Sequence, residues 1–274
     1  MATHQQSSFG ASSVRTVLLG SMLAFAVTTT VIARESFPYP EVAMDSFVNA
    51  VKSGDQAALA NVLGSNYKQY IPEALNRDIV DTFLAAWSDR HRIALYGNSA
   101  WLEVGASQWR LPIPVVQTQG AWHFDLVAGA DEMQRRKLGR NELGAITALQ
   151  LLHDAQTRYR QTQGRYATQL VSEPGERNGL YWPEADATAS SPLGADALAM
   201  TADTPADSAY SGYHFKVLPG AHASTYSIVA WPAEYGVSGV HSFQVKPDGA
   251  VSESVSQLNA DTTSTQGIQW KRVE

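Results

Sequence analysis

The stretch that decides the fold is residues 138–163, LGRNELGAITALQLLHDAQTRYRQTQ. Its apolar residues recur at every third or fourth position, and this spacing predicts one amphipathic helix with a single buried face. Gly164 follows directly and is typical of the left-handed residue that ends a helix. Any interruption is expected near the start, at Gly139 or Asn141. The positions on the buried face are Leu138, Glu142, Ala145, Ile146, Leu149, Leu152, Ala155 and Tyr159.

The chain after this helix predicts a long loop and then antiparallel strands. Residues 171–211 are rich in Gly, Pro, Ser and Asp, a composition typical of a loop. Three segments of alternating apolar residues then predict strands. His214 falls out of phase and is expected in solvent, whereas His241 is in phase and is expected in the core. The apolar positions are Tyr213, Phe215 and Val217, then Tyr226, Ile228 and Ala230, and then His241, Phe243 and Val245.

The chain before the long helix begins with two predicted helices. Gly54 is placed to end the first, and Asp55 is placed to cap the second. The apolar positions at helical spacing are Met44, Phe47, Val48 and Val51, followed by Leu59, Val62 and Leu63. A helix-turn-helix opening is therefore expected from about residue 40.

A third helix and a group of strands follow. The helix is predicted after Asn76, with Ile79, Phe83 and Trp87 on its buried face because they are spaced four apart. Strands are predicted at residues 92–96, 100–104, 108–117 and 121–126, and Gln119 with Gly120 forms the last tight turn.

This order of elements predicts an α+β protein of two domains. Residues 37–130 form the first, in which helices pack on an antiparallel sheet. Residues 131–274 form the second, in which the long helix packs on a three- or four-stranded antiparallel sheet and the loop of residues 171–211 projects from it.

The N-terminus has the pattern of a secretory signal. Arg15 precedes the apolar run of residues 17–33, and the small residues Val31 and Ala33 occupy the positions that signal peptidase reads. We expect residues 1–33 to be a signal peptide cleaved after Ala33; the alternative is an uncleaved anchor. Either case predicts a periplasmic or secreted protein, and the mature chain is expected to have no membrane span.

Composition excludes several kinds of site. The chain has no cysteine, so disulfides, thiolate metal sites and a cysteine nucleophile are ruled out. The histidines do not have the spacing of a zinc hydrolase, and no glycine-rich phosphate or dinucleotide motif is present. The net charge is −6 and the basic residues are mostly dispersed, which disfavours nucleic-acid binding. We therefore expect no metal, no cofactor and no nucleic-acid partner.

Two stretches, WPAEY at residues 231–235 and YWPE at residues 181–184, combine aromatic rings with a proline and an acid. Such residues stack on sugar rings and accept hydrogen bonds from hydroxyl groups, so they are the candidate binding site. In the alternative, which the sequence favours, the chain turns a corner and the rings fill the core. The candidate binding residues are Trp231, Glu234, Tyr235, Tyr181, Trp182 and Glu184.

A second candidate site is a cavity inside the first domain. An enzyme there would need an acid or a base in the cavity. The available side chains are Asp81, His91, Tyr67 and Tyr70. The alternative is that these residues lie on a helix flank and a loop, because they have no spacing of a known catalytic motif.

Motifs in each half resemble known folds. AITAL at residues 145–149, GRYA at 164–167 and GVHSFQV at 239–245 resemble the globular half of type IV pilins and pseudopilins. The helix begins here in a charged segment, so the resemblance implies that scaffold without the membrane-inserted half. SGD at residues 53–55 and GAWHF at residues 120–124 resemble nuclear-transport-factor-2-like folds.

The whole mature chain resembles one bacterial family. The motifs that carry this resemblance are WHFD at residues 122–125, RRKLGRNEL at 135–143, GLYWP at 179–183, SPLG at 191–194 and the segment 230–240. The family is the one catalogued as domain of unknown function 2950, and membership implies no established activity.

These observations lead to two functional expectations. The first is an exported, non-catalytic binding or interaction module of the bacterial envelope, whose partner is an envelope protein or a glycan. The alternative is a small-ligand binder, or an enzyme of the hydrolase or isomerase type, that uses the cavity of the first domain and acts on cell-wall material.

Overall fold

The structure, a computed structural model, describes residues 35–71, 77–183 and 190–274. The predicted signal peptide, with its cleavage point after Ala33, lies outside these residues, and so does Glu184. Helices and antiparallel sheets build the described chain, which confirms the α+β prediction. Among the described helices, none combines the length and apolar composition that crossing a bilayer requires.

The N-terminal part begins with helices whose ends agree with the sequence prediction. Gly54 adopts a left-handed conformation with φ of 68° and ends the first helix. Asp55 caps the second, because its Oδ1 accepts hydrogen bonds from the backbone N–H groups of Ala57 and Ala58 at 2.8 and 3.3 Å. The elements are α1 (Pro40–Ser53), α2 (Gln56–Leu63), a short 3-10 turn (Tyr67–Gln69) and α3 (Arg77–Asp89).

A five-stranded antiparallel sheet follows, in the order β1-β2-β4-β5 with β3 paired to β2. The predicted strand at residues 108–117 is two short strands, because Pro112 and Pro114 cannot donate to a ladder. The turn at Gln119 and Gly120 is confirmed, with φ of 53° and 84° as a tight hairpin requires. The strands are β1 (His91–Tyr96), β2 (Ser99–Val104), β3 (Trp109–Arg110), β4 (Val115–Thr118) and β5 (Ala121–Phe124).

The first hydrophobic core lies between α1, α2 and the inner face of this sheet. Met44, Leu63, Leu102 and Phe124 are fully buried in it. The third helix departs from the prediction: Ile79 is 58% exposed. No residue of α3, which is described over its whole length, is buried.

The long helix α4 (Leu126–Gln163) begins well before residue 138 and passes through Gly139 and Asn141 without interruption. Its 38 residues extend for about 57 Å. Asp125 caps its start by accepting from the Ala128 N–H at 3.0 Å, and Gly164, with φ of 70°, ends it as predicted. The boundary proposed between residues 130 and 131 therefore falls inside α4, which supplies Leu126 to the first core and residues 145–159 to the second.

The C-terminal part contains a second five-stranded sheet, in the order β12-β11-β10-β9-β8, where three or four strands were predicted. The described residues of the predicted loop 171–211 include the strand Gly179–Tyr181, which pairs in parallel with Gln169–Val171, and two 3-10 turns. The strands are β6 (Gln169–Val171), β7 (Gly179–Tyr181), β8 (Tyr213–Pro219), β9 (Tyr226–Pro232), β10 (Ser242–Val245), β11 (Val251–Ser254) and β12 (Lys271–Arg272).

Both faces of this second sheet are covered. The inner face packs on α4, and the outer face packs against the segment 256–270, where Leu258 contacts the core around Trp231. His214, predicted in solvent, is 8% exposed, because its Nδ1 lies 3.1 Å from the Thr201 carbonyl oxygen and its ring tilts against Trp231. His241, predicted as a hydrogen-bonded core residue, does bond Glu142 Oε1 through Nδ1 at 3.1 Å, but it lies just before β10 and its side chain is 32% exposed.

Candidate binding cleft

A cleft of about 520 Å³ opens between α1, α2, the 3-10 turn and α3. This volume is within the range of about 300 to 1,000 Å³ that small-molecule sites occupy. Its wall is mostly apolar, and polar side chains stand at its edge. The apolar lining includes Phe47, Val51, Leu59, Leu63, Val80 and Leu84.

Ring packing and a backbone hydrogen bond fix the second half of α3 beside the cleft. Phe83 packs edge-on against Phe47 at 6.2 Å between ring centroids, and against Trp109 at 6.3 Å. The carbonyl of Ala86 accepts a hydrogen bond from the Gly105 N–H at 3.2 Å. Val80, in the first half of α3, stays half-buried and faces the gap.

Charged side chains stand at the described edge of the cleft. Lys52 ends α1, Lys68 lies in the 3-10 turn and Arg77 begins α3. Asp81 is the carboxylate among the described lining residues, and its Oδ1 is 3.8 Å from Arg77 Nε. Both side chains are largely in solvent, so this ion pair is weak.

One polar pair lies deeper in the cleft. Tyr67 is buried, and its hydroxyl donates a short hydrogen bond to Gln56 Oε1. The pair joins the 3-10 turn to the first turn of α2. Gln56 keeps its amide NH₂ group as a donor at the edge of the cleft.

The structure brings together two of the four residues of the predicted cavity. Tyr67 and Asp81 line the cleft, while Tyr70 and His91 lie outside its described lining. Tyr70 packs against the first core. His91 is exposed and stacks on Trp87 with ring centroids 3.7 Å apart, and its Nδ1 is 2.9 Å from the Trp87 carbonyl oxygen.

Sequence reasoning missed the apolar stripe of α3 that faces the cleft. It identified the stripe of Ile79, Phe83 and Trp87, of which Phe83 and Trp87 do pack against the first core. Val80 and Leu84 line the gap. Those two residues are also spaced four apart, so a second stripe beside the first was visible. The charged residues at the edge were missed because they belong to separate elements.

The stretch at residues 231–235 forms a packed corner. Trp231 is 4% exposed. The Tyr235 hydroxyl accepts from the Leu258 N–H at 2.7 Å and bonds Ser242 Oγ at 2.7 Å. Burial raises the pKa of the Tyr235 hydroxyl, which therefore stays protonated. Glu234 is exposed, whereas Trp231 is buried and Tyr235 is half-buried with its hydroxyl engaged.

The related stretch at residues 181–184 is packed in a different place. Trp182 is buried, its Nε1 donates to the Gly179 carbonyl at 2.8 Å, and the Arg177 guanidinium lies 4.8 Å from the centre of its ring. Tyr181 is half-buried in β7. Trp182 belongs to the core under α4 and Trp231 to the core on the outer face of the second sheet, so the two stretches do not form one surface.

Polar residues of α4 hold the corner loop, residues 233–241. Gln134 donates to the Val237 carbonyl at 2.8 Å, and Asn141 donates to the Ser238 carbonyl at 2.8 Å. Glu142 Oε1 accepts from the N–H groups of residues 240 and 241 at 3.1 and 3.2 Å. We call these contacts the α4 clamp. They give the charged first half of α4 a structural role.

The described ranges contain no group of three His, Asp or Glu side chains that could hold a metal ion.

Comparison with known sequences places the chain in a family. The sequence model described as "Protein of unknown function (DUF2950)" matches residues 34–267, which is most of the 274-residue chain. The chain belongs to the DUF2950 family. No curated protein and no solved structure matches it. In this DUF2950 protein the cleft, the corner loop and the α4 clamp all lie inside the matched range, and β12 lies outside it.

Proposed function

We propose that this DUF2950 protein is an exported, non-catalytic binding protein of the bacterial envelope and that the cleft between α1 and α3 is its binding site. The observation that carries the proposal is about 520 Å³ of open space with an apolar wall. Protein interiors are close-packed, and unfilled apolar space forfeits contact energy. Space of this size with polar groups at its edge is typical of a ligand site.

The arrangement of polar groups favours binding over catalysis. The Tyr67 hydroxyl is engaged with Gln56, and Asp81 stands in solvent beside Arg77. His91, the natural general base, is stacked on Trp87 away from the described lining. A nucleophile within hydrogen-bond reach of a base, which covalent catalysis requires, is not formed by the described lining residues.

Export is part of the proposal. It is supported by the signal pattern of residues 1–33 and is compatible with a chain that contains no cysteine. A sugar-stacking surface at residues 181–184 and 231–235 has less support, because Trp182 and Trp231 are both buried.

The two fold resemblances and the two-domain division also belong to the proposal. Helices on an antiparallel sheet support the likeness of residues 37–130 to nuclear-transport-factor-2-like folds. The packing of the C-terminal half of α4 on an antiparallel sheet supports the pilin-like likeness of residues 131–274.

A calorimetric titration tests the proposed function. The probes are three octyl compounds, namely octanol, octanoate and octylammonium. The test variant is Val80→Trp, which fills the cleft. The control is Ile79→Trp, which adds the same ring on the exposed side of α3. We expect saturable binding of at least one probe to the parent and to Ile79→Trp, with loss in Val80→Trp. The bound probe should be recovered unchanged. If no probe binds, or if Val80→Trp binds as well as the parent, the cleft is not the site.

A further inference from the structure

We propose that the outer edge of β1, the side of this strand that faces away from β2, is an interaction surface whose partner is β1 of a second copy of this chain. The two strands run antiparallel and join the first sheets of two molecules into one. The described lining of the cleft includes no residue of β1, so this pairing is independent of the proposed function.

The outer edge of β1 is regular and accessible. All six residues of β1 pair with β2 in an unbroken register, and β2 is the neighbour of β1 among the described strands. Leu95 and Tyr96 are 60% and 56% exposed, although both side chains are large and mostly apolar. A regular edge of this kind offers its backbone groups to another strand.

The polar side chains at the start of β1 do not guard this edge. Natural edge strands are commonly protected by a charge, a proline or a bulge. Arg92 Nε donates to Glu103 Oε2 at 2.6 Å, so the guanidinium is drawn toward β2 and away from the outer edge. His91 stacks on Trp87 of α3. The backbone of β1 is therefore left open to a partner.

The other ends of the two five-stranded sheets are covered or short. At β5, Phe37 and Trp122 exchange two backbone hydrogen bonds of 2.8 Å. β8 lies beside β6 and the 3-10 turn Ala195–Met200. β12 has two residues, and both are cationic. Among the described sheet ends, the outer edge of β1 is therefore the one suited to adding a strand.

The hairpin turn determines which backbone groups of β1 point outward. Tyr96 and Ser99 flank a two-residue turn that begins at Gly97, and such a turn closes on a hydrogen-bonded pair. Hydrogen-bonded and non-hydrogen-bonded pairs then alternate along the antiparallel ladder. Every second residue, counted back from Tyr96, therefore bonds to β2. The N–H and C=O groups of Ile93 and Leu95 are directed at the outer edge.

The side-chain pattern favours one register with a second copy. A two-fold axis perpendicular to the sheet keeps the faces of both sheets together, so residues of the same face oppose each other. With Ala94 at the axis, Ile93 of each copy opposes Leu95 of the other, and their outward backbone groups bond in both directions. Arg92 opposes Tyr96, so no like charges meet. The small Ala94 suits the axis, because side chains of a non-hydrogen-bonded pair are closest.

This register also covers exposed apolar surface. Ile93 packs against the first core, and its position in the strand places it on the same face as Leu95. In the pair, Leu95 of one copy lies beside Ile93 of the other and extends that core. The pairing therefore combines backbone hydrogen bonds with removal of a leucine from water.

A single cysteine tests the register, because the chain has no cysteine of its own. In Ala94→Cys the two thiols face each other across the axis within reach of a disulfide. The mature chain, residues 34–274, should then form a disulfide-linked dimer about tenfold or more faster than Thr118→Cys, an exposed position on β4 of the same sheet. Non-reducing gels measure both rates, and equal rates contradict the proposal.

Sedimentation equilibrium tests the pairing without a covalent link. The parent should dimerise as its concentration rises. Leu95→Pro removes an outward N–H from each copy while sparing the bonds to β2, so it should weaken the dimer about tenfold or more. Leu95→Val keeps the N–H and should weaken the dimer less. Circular dichroism verifies the fold of both variants, and octyl probes should bind Leu95→Pro as they bind the parent.

Two outcomes of the sedimentation experiment would overturn the proposal. A parent that stays monomeric at millimolar concentration excludes a second copy as the partner and leaves the edge to a strand of another protein. A dimer that Leu95→Pro does not weaken uses a different surface.

Discussion

Two regions contain residue types common in binding sites, but they are packed in opposite ways. One is the packed corner at residues 231–235 with its corner loop, and the other is the cleft between α1 and α3. In the corner, Trp231 is buried, Tyr235 bonds a neighbouring segment and the loop backbone is held by α4. In the cleft, Val80 and Leu84 remain half-buried and face open space.

This difference shows that a cluster of aromatic residues is better evidence of a packed core than of a binding site. Large rings bury much apolar area, and a polar tip lets Tyr and Trp satisfy their hydrogen bonds inside a core. Open space depends on how neighbouring helices pack against each other. Phe83 and Ala86, in the second half of α3, contact neighbouring elements, whereas Val80 in the first half faces the cleft.

The largest expected effect contrasts truncation in the two regions. Trp231→Ala should lower the free energy of unfolding by about 3–5 kcal/mol, because it leaves a cavity in a packed core. Val80→Ala should cost less than about 1 kcal/mol, since its side chain is half-buried and faces the cleft. Urea titrations give both values. Equal losses would mean that the cleft is closed in solution.

The next effect concerns the α4 clamp. Glu142→Ala removes the acceptor of two backbone N–H groups in the corner loop and should cost about 2–3 kcal/mol. Asp154→Ala, an exposed acid on the same helix, is the matched control and should stay within about 0.5 kcal/mol. Urea unfolding measures both. If Glu142→Ala lowers the free energy of unfolding no more than the control does, the α4 clamp does not stabilise the corner loop.

A smaller effect separates stability from binding in the first sheet. The Glu103 carboxylate lies between Arg110 and Arg92, with Arg110 Nη2 at 2.8 Å, and the hydrogen bonds from Arg110 hold its pKa below the usual range. Glu103→Gln should lower the free energy of unfolding by about 1–2 kcal/mol at pH 7. This is the low end of the range for hydrogen bonds to charged groups, because both arginines are partly exposed to water. Octanoate affinity should not change.

The bonds of the Glu103 carboxylate also predict a pH dependence of the free energy of unfolding. Because the folded pKa lies below the unfolded value of about 4.3, the stabilisation is fully present above that value and is lost as the pH falls through the folded pKa. Urea midpoints of the parent and of Glu103→Gln should therefore converge below about pH 4. A constant difference down to pH 2 would show that the loss has a steric cause.

The smallest expected effect is that of filling the cleft. Val80→Trp should change the free energy of unfolding by no more than about 0.5 kcal/mol, because the new ring enters open space. The same variant removes ligand binding in the titrations above. A loss of several kcal/mol would mean that the ring disturbs α3 and that Leu84→Trp should replace it.

Local signals predicted much of the fold. Gly54, Asp55 and Gly164 each act through backbone conformation or a neighbouring N–H, so sequence alone indicated where helices end or begin. The hairpin at Gln119 and Gly120 was predictable for the same reason.

Features that depend on distant partners were not predictable. The first half of α4 has few apolar residues on its partner side because it holds the corner loop through Gln134, Asn141 and Glu142, so hydrophobic periodicity gave no sign of it. His214 is buried where its Nδ1 lies 3.1 Å from the Thr201 carbonyl oxygen and its ring tilts against Trp231 of the neighbouring strand. The cleft is a property of spacing between helices, which no residue pattern encodes.

The α4 clamp has a kinetic consequence. Its bonds join residues 97 to 103 positions apart, whereas the β8–β9 hairpin and the first sheet pair near neighbours. Closing so long a segment carries an entropic cost, so the clamp should form after the folding barrier is crossed. Weakening it with Asn141→Ala should speed unfolding and leave the folding rate nearly unchanged in stopped-flow experiments. The clamp would then set how long a folded molecule persists, and it would have little influence on how quickly the chain folds.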